Sequence, residues 1–279
     1  MIVEVGPRDG LQNESKIMST DDKVKLIHDL VDAGVQHVEV GSFVRADLVP
    51  TMADTAEVVK RLTRKPGVRY TALVPNPKGM DAAIQSGMTS VAVFTAASET
   101  FNQKNIRMSV GDSLAKIQDV IKMAAPHQID VRGYLSTCWH CPYEGAIKPE
   151  RVVALAAELI KMGCWEVSLG DTIGHATPDE VRGLLVILLK TISADRIAVH
   201  FHDTNGRALE NIRVAQSLGI TTIDSAVGGL GGCPFAPGAK GNVATESVVE
   251  MLDNNGVATG IALQKLLPIA NWMRQWRTS

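Results

Sequence analysis

One phrase recurs along this chain and leaves few folds open to it. A helical stretch ends at a glycine (Gly34, Gly87, Gly163 or Gly219), and a β-rich run follows directly. Glycine suits such a helix end because the backbone there turns left-handed, where other side chains clash. The runs after these glycines cover 35–40, 88–93, 164–169 and 220–224, and four more lie at 2–5, 69–74, 131–135 and 197–201. Helices are expected over 20–33, 52–62, 77–85, 109–124, 149–162, 178–191, 207–218 and 243–254. Eight β–α units in strict alternation call for a parallel sheet. Eight of them in 279 residues call for closure into a (β/α)8 barrel, the TIM-barrel architecture. The rival is an open doubly wound sheet, but no glycine-rich dinucleotide loop follows the first strand. The expectation is one α/β barrel domain over 1–279, ending in a short helical tail from about 262 to 279.

Composition narrows the classes of function. A net charge of −2 and an aromatic content of 4% offer neither a basic field nor a stacking platform, so no nucleic-acid partner is expected. No apolar run is long enough to span a bilayer and no secretory segment opens the chain, so no membrane partner is expected either. Four cysteines (Cys138, Cys141, Cys164, Cys233) are too few for a disulfide framework, which points to a reduced, cytoplasmic protein. Cys138 and Cys141 have no second pair to complete a structural zinc site and read as unrelated thiols. Apolar tail residues such as Leu266, Ile269 and Trp272 are expected either to cap the barrel bottom or to form a homodimer contact.

Strand alternation then sorts inward from outward side chains. With Val38 and Val40 facing the helices, Glu39 faces the interior; Ser168, Asp224, His200 and His202 do so by the same parity, and Arg8 follows the first strand inward. Buried polar groups need partners. So many of them imply a hydrated cavity at the carboxyl ends of the strands, where barrel enzymes work. His200-Phe201-His202-Asp203 is the sharpest motif: two imidazoles about 7 Å apart on one strand face can grip one ion. Taken alone, such a pair is more often two satisfied polar side chains. Barrel closure, however, makes the seventh and eighth strands neighbours of the first, so Asp9 completes a nitrogen/oxygen site, with Asn242 as a neutral fourth ligand. Such a thiolate-free set suits Mg, Mn, Zn or Co. Arg8 would hold a developing oxyanion, or else close the barrel as a plain salt bridge. Cys233, in a glycine-rich loop over 228–242, reads as a mobile acid/base or as an inert small hydrophobe.

The same residues resemble the 3-hydroxy-3-methylglutaryl-CoA (HMG-CoA) lyase family. The likeness covers nearly the whole chain, through Gly6-Pro7-Arg8-Asp9-Gly10-Leu11-Gln12-Asn13-Glu14, Ser42-Phe43-Val44, Ala96-Ala97-Ser98-Glu99, Cys141-Pro142-Tyr143-Glu144-Gly145, the stretch 168–174, His200 to Thr204, and 228–242. The resemblance implies a divalent cation, Mg or Mn, on Asp9, His200, His202 and Asn242. It implies Arg8, Cys233, His200, Glu39 and Asp171 as catalytic residues. Gln12, Thr172, Lys104 and Asn105 would contact the acyl-CoA substrate. The reaction implied is a retro-Claisen cleavage of HMG-CoA to acetyl-CoA and acetoacetate, with leucine degradation as one pathway it would serve. Departures from the family pattern, Ser15 for a lysine and Arg45-Ala46-Asp47 where Pro-Lys-Trp is common, bear on the acyl group. Citramalyl-CoA, cleaved to acetyl-CoA and pyruvate, is therefore the alternative substrate. An acetyl-CoA-dependent Claisen synthase and a catalytically silent binding protein are more distant alternatives.

Overall fold

The computed structural model describes residues 1–231 and 241–279. Its strands are β1 (Ile2–Glu4), β2 (His37–Ser42), β3 (Arg69–Leu73), β4 (Ser90–Ala96) and β5 (Asp130–Ser136). A two-stranded hairpin follows, β6 (His140–Cys141) with β7 (Gly145–Ala146), then β8 (Val167–Asp171), β9 (Ile197–Phe201) and β10 (Thr222–Ser225). Eight of these close into a parallel barrel in the order β1-β10-β9-β8-β5-β4-β3-β2. The seam is β1, which pairs Ile2 with Ile223 and Glu4 with Ser225 on one side and Glu4 with Val38 on the other. Among the described residues the helices are α1 (Thr20–Asp32), α2 (Thr55–Arg61), α3 (Pro77–Gln85), α4 (Glu99–Ile106), α5 (Val110–Ala124), α6 (Pro149–Met162), α7 (Pro178–Leu188), α8 (Ala208–Ser217), α9 (Thr245–Asn254) and α10 (Leu263–Thr278). The barrel expected from the eightfold phrase is the fold observed.

Local chemistry explains the element ends. Ser19, Asn76, Ser98 and Ser109 each accept a backbone N–H at a helix start, and Thr177 forms a reciprocal capping box with Glu180. The four phrase-ending glycines all have positive φ, from 67° to 122°. After each, the next residue still bonds back to its helix: Val35 to Leu30, Met88 to Ala83, Cys164 to Leu159 and Ile220 to Ala215. These strands consequently begin two or three residues later than the β-rich runs suggest. Helix α4 and the β6–β7 hairpin were not anticipated.

Every strand residue of β2, β8, β9 and β10 is buried, as a parallel sheet covered by helices requires. Helix α10 does not cap the barrel bottom. At its start Ala262 donates its N–H to Ala33 O, and near its end Arg277 reaches Gly229 O, so it runs up the wall towards the loop after β10. Leu266, Ile269, Ala270 and Met273 are its buried stripe. Among the described residues no helix is long and apolar enough to cross a membrane.

Candidate metal centre and active site

Strand β1 runs into a five-residue π-helical turn, Gly6–Gly10, closed by Gly10 N–H on Val5 O at 3.2 Å. Strand parity does not extend through such a turn, yet Arg8 still ends buried above the barrel. Its Nε donates to Glu39 Oε2 at 2.6 Å and its Nη1 to Asp9 Oδ1 at 2.8 Å. Across the seam, β9 delivers His200, and its continuation delivers His202. The segment returning from the loop after β10 crosses that end of β9: Val243 N–H bonds Phe201 O, and His202 and Asn242 form a bridge. Asn242 is set beside Asp9 by this crossing.

Asp9, His200 and His202 each present a ligand atom, all within 4.8 Å of one another. His200 Nε2 lies 3.9 Å from Asp9 Oδ2, and the two imidazole centroids are 5.4 Å apart. Burial alone would lift the Asp9 carboxyl, but the Arg8 guanidinium and the two imidazoles outweigh it and draw it down to about 2. Asp9 is thus a carboxylate throughout the physiological range. Burial, reinforced by the neighbouring His200, lowers His202 to about 4, which keeps a lone pair available. Burial also works against charge on His200, but its hydrogen bond to Asp224 and the carboxylate of Asp9 win and raise it.

The residues fit a divalent cation on three observations. The donor set is nitrogen and oxygen without thiolate. His202 Nδ1 is buried with no hydrogen-bond partner. Finally, Arg8 and Arg132 face Glu39, Asp9, Glu166 and Asp224 in contacting buried clusters. Carboxylates outnumber guanidiniums in these clusters, an excess that a divalent ion would help to offset. Asn242 stands differently. Its Nδ2 donates to Asp9 Oδ2 at 2.8 Å and to Leu230 O at 3.1 Å, so oxygen ligation would require the carboxamide to turn over.

A cavity of about 200 Å³ opens beside these groups, lined among others by Arg8, Gln12, Asn105, Tyr134, Thr172 and His200. Gln12, Thr172 and Asn105 therefore share the cleft with the cation ligands. Thr172 Oγ1 also accepts Thr137 N–H. Lys104 lies further out, with Nζ 4.3 Å from the centre of the Tyr143 ring. The Asp171 carboxylate is turned to the backbone N–H groups of His175 and Ala176, where it fastens the loop after β8. Glu39 is fully buried behind Arg8. Cys233 lies outside the described residues. Cys138 and Cys141 are buried, free, and bonded to different oxygens, Leu135 O and Ser98 Oγ.

The family model described as HMGL-like matches residues 1–273. The chain belongs to the HMGL-like family. It is 50% identical over 95% of its length, and 78% of the relative's, to a mouse protein named 3-hydroxy-3-methylglutaryl-CoA lyase, cytoplasmic. The HMG-CoA lyase structure from Brucella melitensis superposes with a TM-score of 0.98 at 46% identity, covering 100% of this chain and 98% of that one. An HMG-CoA lyase from Acinetobacter baumannii, solved with coenzyme A and 3-methylmalate, gives a TM-score of 0.95 at 35% identity over 100% of this chain and 91% of that one.

Three groups at and beneath the cleft escaped sequence reading: Arg132, Tyr134 and Glu166. Parity carried their signal, since Arg132 and Tyr134 alternate with apolar residues in β5 just as His200 does in β9. The Tyr134 ring sits edge-on to His200 at 6.3 Å and 5.4 Å from the Arg8 guanidinium.

Proposed function

We propose that this chain is a metal-dependent carbon–carbon lyase, a single barrel domain that cleaves HMG-CoA to acetyl-CoA and acetoacetate. The convergence of Asp9, His200 and His202 beside Arg8 carries this reading, in a chain half identical to a protein named for that activity. Asp9, His200 and His202 would hold Mg or Mn, with Asn242 joining if its carboxamide turns, and the ion would make the substrate's 3-hydroxyl easier to deprotonate.

The protein's own groups account for the remaining steps. Loss of the hydroxyl proton lets the C2–C3 bond break: C3 becomes the ketone of acetoacetate and the electron pair passes to C2, as a thioester enolate. Arg8, fixed by Glu39 and Asp9, points a permanent cation at the oxygen where that charge collects. Its remaining N–H groups are free to donate there. A proton added at C2 completes acetyl-CoA, and Cys233 is the group assigned to deliver it. Gln12, Thr172 and Asn105 line the way to the reacting carbons, while Lys104 stands beyond them for the CoA moiety. Asp171 keeps its place among the catalytic residues and also fastens the loop after β8 through the His175 and Ala176 N–H groups. The cytoplasm is the proposed compartment, and leucine degradation a route that would use the reaction.

Purified protein supplied with Mn and HMG-CoA is expected to release acetyl-CoA and acetoacetate in equal amounts. Citramalyl-CoA assayed in parallel tests the other acyl group, which the likeness to HMG-CoA lyases does not favour. Acetyl-CoA consumption with a 2-oxo acid would instead mark a synthase. No product from either thioester would end the lyase reading.

A further inference from the structure

We propose that Asp224 is a positioning residue for the cation site: it fixes which nitrogen of His200 faces the ion, and Ser168 and Arg132 hold it to that task. The proposal rests on the reading of Asp9, His200 and His202 as cation ligands. Asp224 Oδ2 lies 3.3 Å from His200 Nδ1, while His200 Nε2 is the nitrogen turned towards Asp9. A carboxylate can only accept. The proton is therefore kept on Nδ1, and the Nε2 lone pair is left for the ion.

The carboxylate is itself clamped. Ser168 Oγ donates to Oδ2 at 2.7 Å, and Arg132 donates to Oδ2 at 3.2 Å and to Oδ1 at 2.8 Å. Arg132 is anchored in turn by Glu166 Oε2 at 2.6 Å and by the Tyr134 hydroxyl at 2.8 Å. Because β8 and β9 lie between β5 and β10, the Arg132–Asp224 pair must cross the barrel interior. Ser168, Asp224 and Arg132 are at most 1% exposed, so bulk solvent has little access to these bonds. Tyr134 closes the other side, its ring meeting His200 edge-on. His202 has nothing comparable, since its Nδ1 is buried and unpartnered. The two imidazoles are thus unequal: one arrives with its tautomer set, the other does not.

A plainer role for Asp224 would be to neutralise Arg132. Glu166 already pairs with that guanidinium, however, and Asp224 Oδ2 still gathers bonds from three residues, one of them a cation ligand. Calorimetric Mn titration of metal-stripped protein separates the two roles. Asp224→Asn is expected to bind Mn about 10- to 100-fold more weakly than wild type, the usual cost of losing a ligand's outer partner. Wild-type affinity in a folded Asp224→Asn protein would overturn the proposal. Should that variant not fold, Ser168→Ala removes one clamp without unpairing Arg132; weaker Mn binding is expected, and unchanged affinity would overturn it. His202→Ala reports on the underlying reading, because unaltered Mn binding there would mean that the cation site is misplaced. In metal-free wild type at about pH 9, the 15N spectrum of His200 is expected to show Nδ1 protonated. An Nε2–H tautomer would defeat the proposal whatever the metal data say.

Discussion

Arg8 has two tasks that mutation can pull apart. It pairs with Glu39, which is fully buried, and it faces the cleft. Arg8→Met leaves that carboxylate without its partner, so a loss of about 3–5 kcal/mol in urea unfolding is expected. Adding Glu39→Gln should restore much of that stability while leaving kcat about 100- to 1000-fold below wild type. Recovery of turnover in the double variant would show that the cation acts only on the fold. A proton would compete with the proposed cation at His200, whose affinity for it Asp224 and Asp9 raise above that of a free imidazole, about 6.5, against the effect of burial. Mn affinity should consequently climb as pH rises above that value, in titrations compared at several pH values. These residues were legible in sequence because the imidazoles are spaced for one strand face and Asp9 opens a chain that must close on itself. Arg132 was not, since its partners Glu166 and Asp224 lie 34 and 92 residues away and nothing local links them. The hydrogen bonds of Asp171 were hidden for a related reason: a carboxylate at a strand end looks the same in sequence whether or not it binds the backbone N–H groups of its own loop.

At the scale of elements, regular structure was legible and irregular structure was not. Periodicity and capping glycines located eight strands and eight helices. The π-helical turn over Gly6–Gly10 leaves no such trace, although it places both Arg8 and Asp9, and wide turns of this kind recur at functional sites. The loop after β8 depends on another irregular point. Gly174 has φ +66°, and a Cβ there would lie 2.7 Å from His202 O and 2.9 Å from Thr204 N. Gly174→Ala should therefore destabilise the protein by about 1–3 kcal/mol, measured by urea midpoint. Because the crowded atom belongs to a ligand residue's backbone, its Mn affinity should fall as well. An alanine variant with wild-type affinity would show that the loop yields without moving His202.

For the whole molecule, the seam that closes the ring holds a titrating group. Glu4 stands at the seam, fully buried, accepting N–H from Gly6 and Val227 and the Thr245 hydroxyl. Burial pushes its carboxyl up to about 7 despite those donors. A folded value above the unfolded one means that the native state holds the proton more tightly, so the contribution is complete below about 4.5 and drains away as pH rises through 7. By about 1.4 kcal/mol per pK unit, the loss is of order 3 kcal/mol. Glu4→Gln should remove this part of the pH dependence, seen as a flatter plot of urea midpoint against pH; an unaltered slope would place the proton elsewhere. Metal acts on the same equilibrium. Mn at about one hundred times its dissociation constant should add about 2.7 kcal/mol, and chelation should lower the melting temperature accordingly.

Asp9 comes from the opening turn of the chain, while His200, His202 and Asn242 come from its last third. A polypeptide still emerging from the ribosome accordingly has no place to load an ion. The reaction then waits on closure of the ring, which joins these distant stretches into one cage.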